Sequence, residues 1–320
     1  MSAALPPLAV SVGAGGHPWS GPQRASRSEF VTVRGTSFHL RHWGANGAPL
    51  MVLVHGWMDM SATYQFLVDA CRQDWHFVGI DWAGHGQSER RQSYSIYDFM
   101  ADLHFLLEYL SPNEAVPLVA HSLGGNVASL YTSVKPERIQ AFVNLEGYLH
   151  IPTELSVPKR LASWLDSQCH PLERKSYDDR AHLAQRLRKA NPRLAAAQAD
   201  FLASTFGVET PEGRIALAYD TRAAYVMPIT PSHAQTLELW GQISVPVLFV
   251  DGQESRILKG FEGHEAELQE RFQSVPRHRH VTLPEAGHNL HHDQPVLLAQ
   301  AIEHFLHELP QIQPPTAFTG

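Results

Sequence analysis

A mostly parallel eight-stranded α/β sheet, with helices on both faces and a helical cap, is the fold class this sequence predicts. Three observations carry it. Short β-type runs alternate with helically spaced ones, the rhythm of right-handed strand-helix-strand crossovers. Runs such as Leu50–Val54 (LMVLV) are apolar at every position, as a strand buried on both faces requires. The rhythm breaks between His150 and Pro231, a segment that reads as helices without a clear strand.

Residues 1–28 are rich in Pro, Gly, Ser and Ala, lack periodicity and read as a disordered leader. Phe30–Val33 and Phe38–Trp43 then alternate as an antiparallel hairpin turned at Arg34-Gly35-Thr36. Leu50–Val54 and His76–Ile80 are buried strands, with the helical spacing of Ala62–Cys71 between them. Ile96–Leu110 has apolar residues three and four apart, an amphipathic helix. Pro117–Ala120, a helix over Leu123–Val134 and a strand over Ile139–Leu145 follow. Cap helices are expected at Leu155–Ser167, Tyr177–Ala190, Arg193–Ser204 and Pro211–Tyr219. Pro246–Val250, Leu268–Phe272, His280–Leu283 and Val296–Leu309 resume the alternation, and 311–320 reads as a tail. The division expected is a core over 29–149 and 232–310 and a cap over 150–231. Ligands of open α/β sheets bind outside the carboxyl ends of the strands, so the cap is expected to cover the site.

Composition narrows the function classes. The chain has 320 residues, enough for a core that needs no disulfide or metal staple. A net charge of −7 gives no electrostatic reason to expect nucleic acid or an anionic membrane as partner. Cys71 and Cys169 form no CxxC, which excludes a zinc ribbon or redox motif. No run reaches a transmembrane length, and Pro6 and Pro7 interrupt the apolar N-terminal stretch, a poor signal peptide. A cytoplasmic protein, monomeric or homodimeric, is expected. The odd feature is 20 histidines. Arg277-His278-Arg279-His280 with His291 and His292 lacks convergent carboxylates or thiols at ligand spacing. These side chains are expected at the surface in contact with water, and no metal and no cofactor are expected.

The strongest chemical signal is Ala120-His121-Ser122-Leu123-Gly124-Gly125, between a buried strand and a helix. This is the context of a nucleophile elbow. The turn is so tight that residues flanking the serine must be small, and Ala120 and Gly124 are. A strained serine at a helix N-terminus exposes its Oγ where the helix dipole favours negative charge. The plain alternative is a serine capping a helix. His55-Gly56-Trp57 follows the Leu50–Val54 strand, where a second oxyanion donor is needed. The backbone N–H groups of Trp57 and Leu123 are therefore the candidate oxyanion hole. The base must lie at a carboxyl end of the sheet. His288, in Ala286-Gly287-His288-Asn289, follows the strand ending at Leu283 and meets that condition. His121 is expected to point away from the serine, and His55 and His85 to hydrogen-bond structurally.

The order HGW at 55, DWAGHGQS at 81, AHSLGG at 120 and AGH at 286 resembles the α/β-hydrolase superfamily over roughly residues 29–310. Each motif is weak singly, but four in order at this spacing are strong. Asn144-Leu145-Glu146-Gly147-Tyr148 resembles a bacterial subgroup of hydrolases, with serine hydrolase-like proteins as more distant relatives. The resemblance implies Ser122 as nucleophile, His288 as base and Trp57 and Leu123 as oxyanion donors.

The acid departs from the superfamily's commonest pattern. Members usually carry Asp three residues after the Gly that follows the seventh strand, and Ser255 stands there, in Asp251-Gly252-Gln253-Glu254-Ser255. Some members place the acid after the sixth strand, where this chain has Glu146. A carboxylate at the exit of an apolar strand needs a partner, and an imidazolium would supply it. Glu146 is thus preferred, with Glu254 and Asp251 as alternatives. Asp81 reads as a loop-stabilising carboxylate. Tyr148 and Trp164, with Phe201, Phe206 and Tyr225, are candidates to line an acyl pocket or simply to form cap core.

These residues point to a serine hydrolase cleaving a carboxylic ester or related acyl bond of a small molecule. Lactone hydrolysis, carbon–carbon bond hydrolysis and cofactor-free dioxygenation keep the same Ser–His pair and stay open. A non-catalytic ligand-binding homologue is the rival outside enzymes. Rate should rise as one imidazole, His288, becomes neutral.

Overall fold

The computed structural model describes residues 19–309 except 154, 171, 225 and 226. The tail at 311–320 and Tyr225 lie outside the described residues. Strands β1 (Ser26–Val33) and β2 (Thr36–Trp43) form the antiparallel hairpin, turned at Arg34 and Gly35 with φ of 50° and 74°. β3 (Leu50–Val54), α1 (Gln65–Ala70) and β4 (His76–Ile80) follow. α1 is preceded by a 3-10 turn at Ser61–Tyr64, so the helix expected from Ala62 starts later. α2 (Ile96–Leu110) begins where Ser95 Oγ accepts the Asp98 N–H at 3.1 Å, satisfying one orphan donor of its first turn. β5 (Val116–His121), α3 (Leu123–Val134) and β6 (Ile139–Leu145) complete the first half.

The intervening segment holds α4 (Val157–Cys169), β7 (Ser176–Tyr177), α5 (Arg180–Ala190), α6 (Ala196–Phe206), β8 (Gly207–Glu209) and β9 (Ile215–Leu217). The expected helix over Pro211–Tyr219 is therefore wrong. β8 and β9 form a hairpin and β9 also pairs with β7 in a three-stranded sheet. The turn signal is Thr210-Pro211-Glu212-Gly213: Gly213 takes φ of 73°, and Thr210 N–H donates to Arg214 O at 2.7 Å. The chain returns through α7 (His233–Gly241), β10 (Val247–Gly252), α8 (Arg256–Lys259), α9 (Glu265–Ser274), β11 (His278–Leu283), α10 (Leu290–Asp293) and α11 (Pro295–His307). Among the described residues no helix is long and apolar enough to cross a membrane.

The main sheet runs β1-β2-β4-β3-β5-β6-β10-β11, parallel from β4 onward and antiparallel at its first two junctions. The period of two in a strand explains the fully apolar runs. Val52 and Val54 face one core with Phe99, Leu103, Val127 and Trp240, under α2, α3 and α7. Met51 and Leu53 face the other with Leu67, Leu298 and Phe305, under α1 and α11. After β3 the chain goes to β4 on one side and later to β5 on the other, so their loops diverge there. That reversal opens a crevice at the carboxyl ends of the strands.

Residues 19–28, expected to belong to a disordered leader, pack on the fold, and β1 begins among them at Ser26. Trp19 Nε1 donates to Asp69 Oδ2 at 2.8 Å, and its ring meets Phe66 and Phe201 edge-on at 4.8 and 5.3 Å. An indole with a polar partner and an apolar slot between core and cap offsets the ordering entropy that composition alone would not.

Candidate active site

Ser122 sits between β5 and α3 with φ of 51° and ψ of −113°, a conformation sparsely populated by residues with a Cβ. Close packing imposes the turn. A Cβ on Gly124 would lie 2.6 Å from the carbonyl oxygens of Val54 and His55, so no larger residue fits. Leu123 opens α3, leaving its N–H without an intrahelical acceptor. Trp57 lies in the loop after β3, and its N–H makes no backbone hydrogen bond among the described residues. Trp57 lines the cavity beside His288, and Leu123 directly follows Ser122. His55 holds that loop from behind: its Nε2 accepts the Trp82 N–H at 3.1 Å. Asp81 braces the neighbouring loop, accepting the Ser61 and Gln87 N–H groups at 2.6 and 3.0 Å.

The loop after β11 delivers His288 to the same edge. Its Nε2 lies 3.0 Å from Ser122 Oγ, and its Nδ1 lies 2.6 Å from Glu146 Oε2. Glu146 also accepts the Gly252 N–H at 2.8 Å and the Ser255 hydroxyl at 2.6 Å. Its own backbone is left-handed, with φ of 57°. Asn144 locks that loop by accepting the Gly147 N–H at 2.7 Å and donating to the Gly147 carbonyl at 2.8 Å. Gly147 is required there, because a Cβ would come within 2.5 Å of the Gly125 backbone.

The two alternative acids are engaged elsewhere. Asp251 binds the Tyr148 hydroxyl through one oxygen and His280 through the other. Glu254 is exposed and paired with Arg193. Burial pushes the Glu146 carboxyl up, against the hydrogen bonds from Ser255 and Gly252. Burial, then the nearby charge of Arg256, lowers His288 to about 4. A neutral imidazole with Nδ1 held by a carboxylate presents its Nε2 lone pair to the serine, the arrangement a general base needs.

A cavity of about 400 Å3 opens beside His288 and Trp57 and is roofed by Leu187, Leu194, Leu202, Phe206 and Leu217 from the cap. Tyr148 and Trp164 do not line it, correcting the sequence reading. Tyr148 is committed to Asp251 and packs on Phe261 and Phe272, while Trp164 is a half-buried residue of α4. Phe201 packs on Trp19 and Phe66, and Phe206 does reach the cavity. His121 points its Nε2 to the His288 carbonyl at 2.8 Å, bracing the base from behind.

A family model for the alpha/beta hydrolase fold matches residues 49–295, most of the chain and every strand from β3 to β11. The chain belongs to the alpha/beta hydrolase fold family. Among relatives of this chain, the serine hydrolase-like protein of Danio rerio is 29% identical over 287 residues, covering 82% of this chain and 83% of that one. A cis-3-alkyl-4-alkyloxetan-2-one decarboxylase of Shewanella oneidensis is 31% identical over 144 residues, 43% of this chain and 44% of that one. Of solved structures, the thioesterase domain from the curacin biosynthetic pathway aligns with a TM-score of 0.77 at 26% identity, over 87% of this chain and 99% of that one.

Sequence reasoning did not find the roles of Ser255 and Asn144. Ser255 was visible only as the residue standing where an Asp is usual, and the structure has its hydroxyl donating to Glu146 Oε2. The expected surface character of His291, His292 and Arg279 is also corrected. His291 and His292 are 0% and 6% exposed and Arg279 5%, because α10 turns inward beneath the base loop and β11 is backed by Glu308.

Proposed function

We propose that this protein is a serine hydrolase that cleaves a carboxylic ester or related acyl bond. The observation that carries the reading is the unbroken relay Ser122 Oγ, His288 Nε2, His288 Nδ1, Glu146 Oε2, at 3.0 and 2.6 Å. Ser122 attacks the acyl carbonyl as His288 takes its proton, and Glu146 orients the ring and stabilises the imidazolium. The Trp57 and Leu123 N–H groups receive the oxyanion. His288 returns the proton to the leaving group and then activates water to release the acid. The apolar roof of the cavity favours an acyl or alkyl portion over a sugar or nucleotide. Similarity to a thioesterase domain supports acyl-bond chemistry. Dehalogenation and epoxide opening through an alkyl-enzyme need a carboxylate nucleophile, and position 122 is Ser.

A fluorophosphonate probe should label the intact protein at one residue, Ser122, read by peptide mass spectrometry. An unlabelled Ser122 in folded protein would favour a ligand-binding role instead. The acidity of the base gives a second check. Protonated His288 cannot accept the serine proton, so kcat/KM rises with pH through its pKa. Burial lowers that pKa from 6.5 to about 4. The acid limb should therefore fall well below pH 6.5, with a plateau through neutrality. A limb centred at or above 6.5 would contradict the environment described.

A further inference from the structure

Behind the catalytic base lies a second cluster of ligating groups that the proposed mechanism does not use. Asp59, His291 and His292 each present a ligand atom, and these atoms all lie within 4.8 Å of one another. All three side chains are buried. Both ring nitrogens of His291 and Nε2 of His292 are buried without a hydrogen-bond partner. His291 Nε2 stands 3.6 Å from Asp59 Oδ2, beyond hydrogen-bond reach. Asp59 is itself held in place: its Oδ1 accepts the Met60 N–H at 2.8 Å and its Oδ2 the Thr63 hydroxyl at 3.2 Å. Buried polar atoms are rarely left unpaired, and a pair of adjacent orphaned imidazoles facing a carboxylate calls for a shared occupant. Rings His291 and His292 lie 4.2 Å apart with their planes at 66°, so they are not stacked.

We propose that Asp59, His291 and His292 bind one divalent transition-metal ion of the Zn2+, Co2+ or Ni2+ class. The donor set decides the class. Two imidazoles and one carboxylate suit borderline-soft ions, whereas Mg2+ and Ca2+ require mostly oxygen. The geometry is close to closed. Three points within 4.8 Å of one another lie no more than about 2.8 Å from a common centre, against about 2.0–2.2 Å for zinc bonds to nitrogen and oxygen. Side-chain shifts under about 1 Å complete the site. An entry path exists, because Asp59 and His292 line the cavity beside His288, from which water can supply a fourth ligand. Sequence spacing concealed the site, since its carboxylate comes from the loop after β3 and its imidazoles from α10 at the other end of the chain. The ion would tie these two loops together. One carries Trp57, two residues before Asp59, and the other His288, three residues before His291.

Equilibrium dialysis of the full chain against Zn2+ tests the proposal, with the Ser122→Ala variant as host so that binding is read without activity. One ion per chain should be retained against a weak competing chelator. Affinity should fall at least tenfold in Asp59→Asn and in His292→Gln. Co2+ in the host should give intense visible bands of a four- or five-coordinate ion, and these should vanish in His292→Gln. Zn2+ should raise the host's Tm, since an ion that binds only the folded state stabilises it. Should one variant fail to fold by circular dichroism, the other still decides the outcome. Host protein that retains no ion overturns the proposal. So do variants that retain it as tightly as the host, which would place the ion among the exposed histidines.

Discussion

Ser122→Ala should lose about 10⁶ in kcat toward a p-nitrophenyl ester, or about 8 kcal/mol of transition-state stabilisation, while its fold persists. The substitution deletes only Oγ. The residue keeps φ of 51°, and alanine bears that backbone strain as serine does, so the elbow stays formed. The oxyanion donors and cavity remain, which leaves a residual rate above that in water. Steady-state turnover, with thermal melting as the control for folding, makes the measurement. Turnover within tenfold of wild type would remove Ser122 from the chemistry and with it the acyl-enzyme.

Glu146→Gln should cost about 10³–10⁴ in kcat, and Glu254→Gln less than about threefold. Glu146 meets three donors: the Gly252 N–H, the Ser255 hydroxyl and His288 Nδ1. A Gln amide has one oxygen for these donors. Its NH2 must face one of them, and facing His288 it favours the tautomer with the proton on Nε2. That tautomer has no lone pair for Ser122. Glu254, by contrast, is exposed and meets Arg193, an ion pair screened by solvent. Kinetics of the two variants side by side separate the acids. A larger loss at Glu254 would move the acid to the loop after β10.

The elements that could be read in the sequence are those whose cause is local. β3, β4, α2, α3 and β6 begin and end where apolar runs, helical spacing and the Ser95 cap place them. Gly124 announces the turn at Ser122 because a Cβ there would strike the carbonyls of Val54 and His55. The β8–β9 hairpin was missed because three-residue strands carry too little periodicity to compete with a helical pattern. Tyr148 and Trp164 were plausible pocket residues because aromatic composition is shared by cavities and cores. For Tyr148, contact with Asp251, Phe261 and Phe272 assigns it to the core.

The histidines mark the boundary between the two kinds of information. By itself the sequence determined the order of strands and helices outside the segment between β6 and α7, the turn carrying Ser122 and the loops carrying Trp57 and His288, each written within a few consecutive residues. The tertiary structure decided which carboxylate meets His288. β6 and β10 pair in a register that sets Val250 opposite Leu145, bringing Gly252 and Ser255 onto Glu146 while Asp251 turns to His280. It also decided that His291 and His292 are buried opposite Asp59. The physical reason is the same in both cases: a carboxylate or imidazole takes its role from partners that lie far away in the chain, and only the packed sheet brings them within hydrogen-bond or ligand distance.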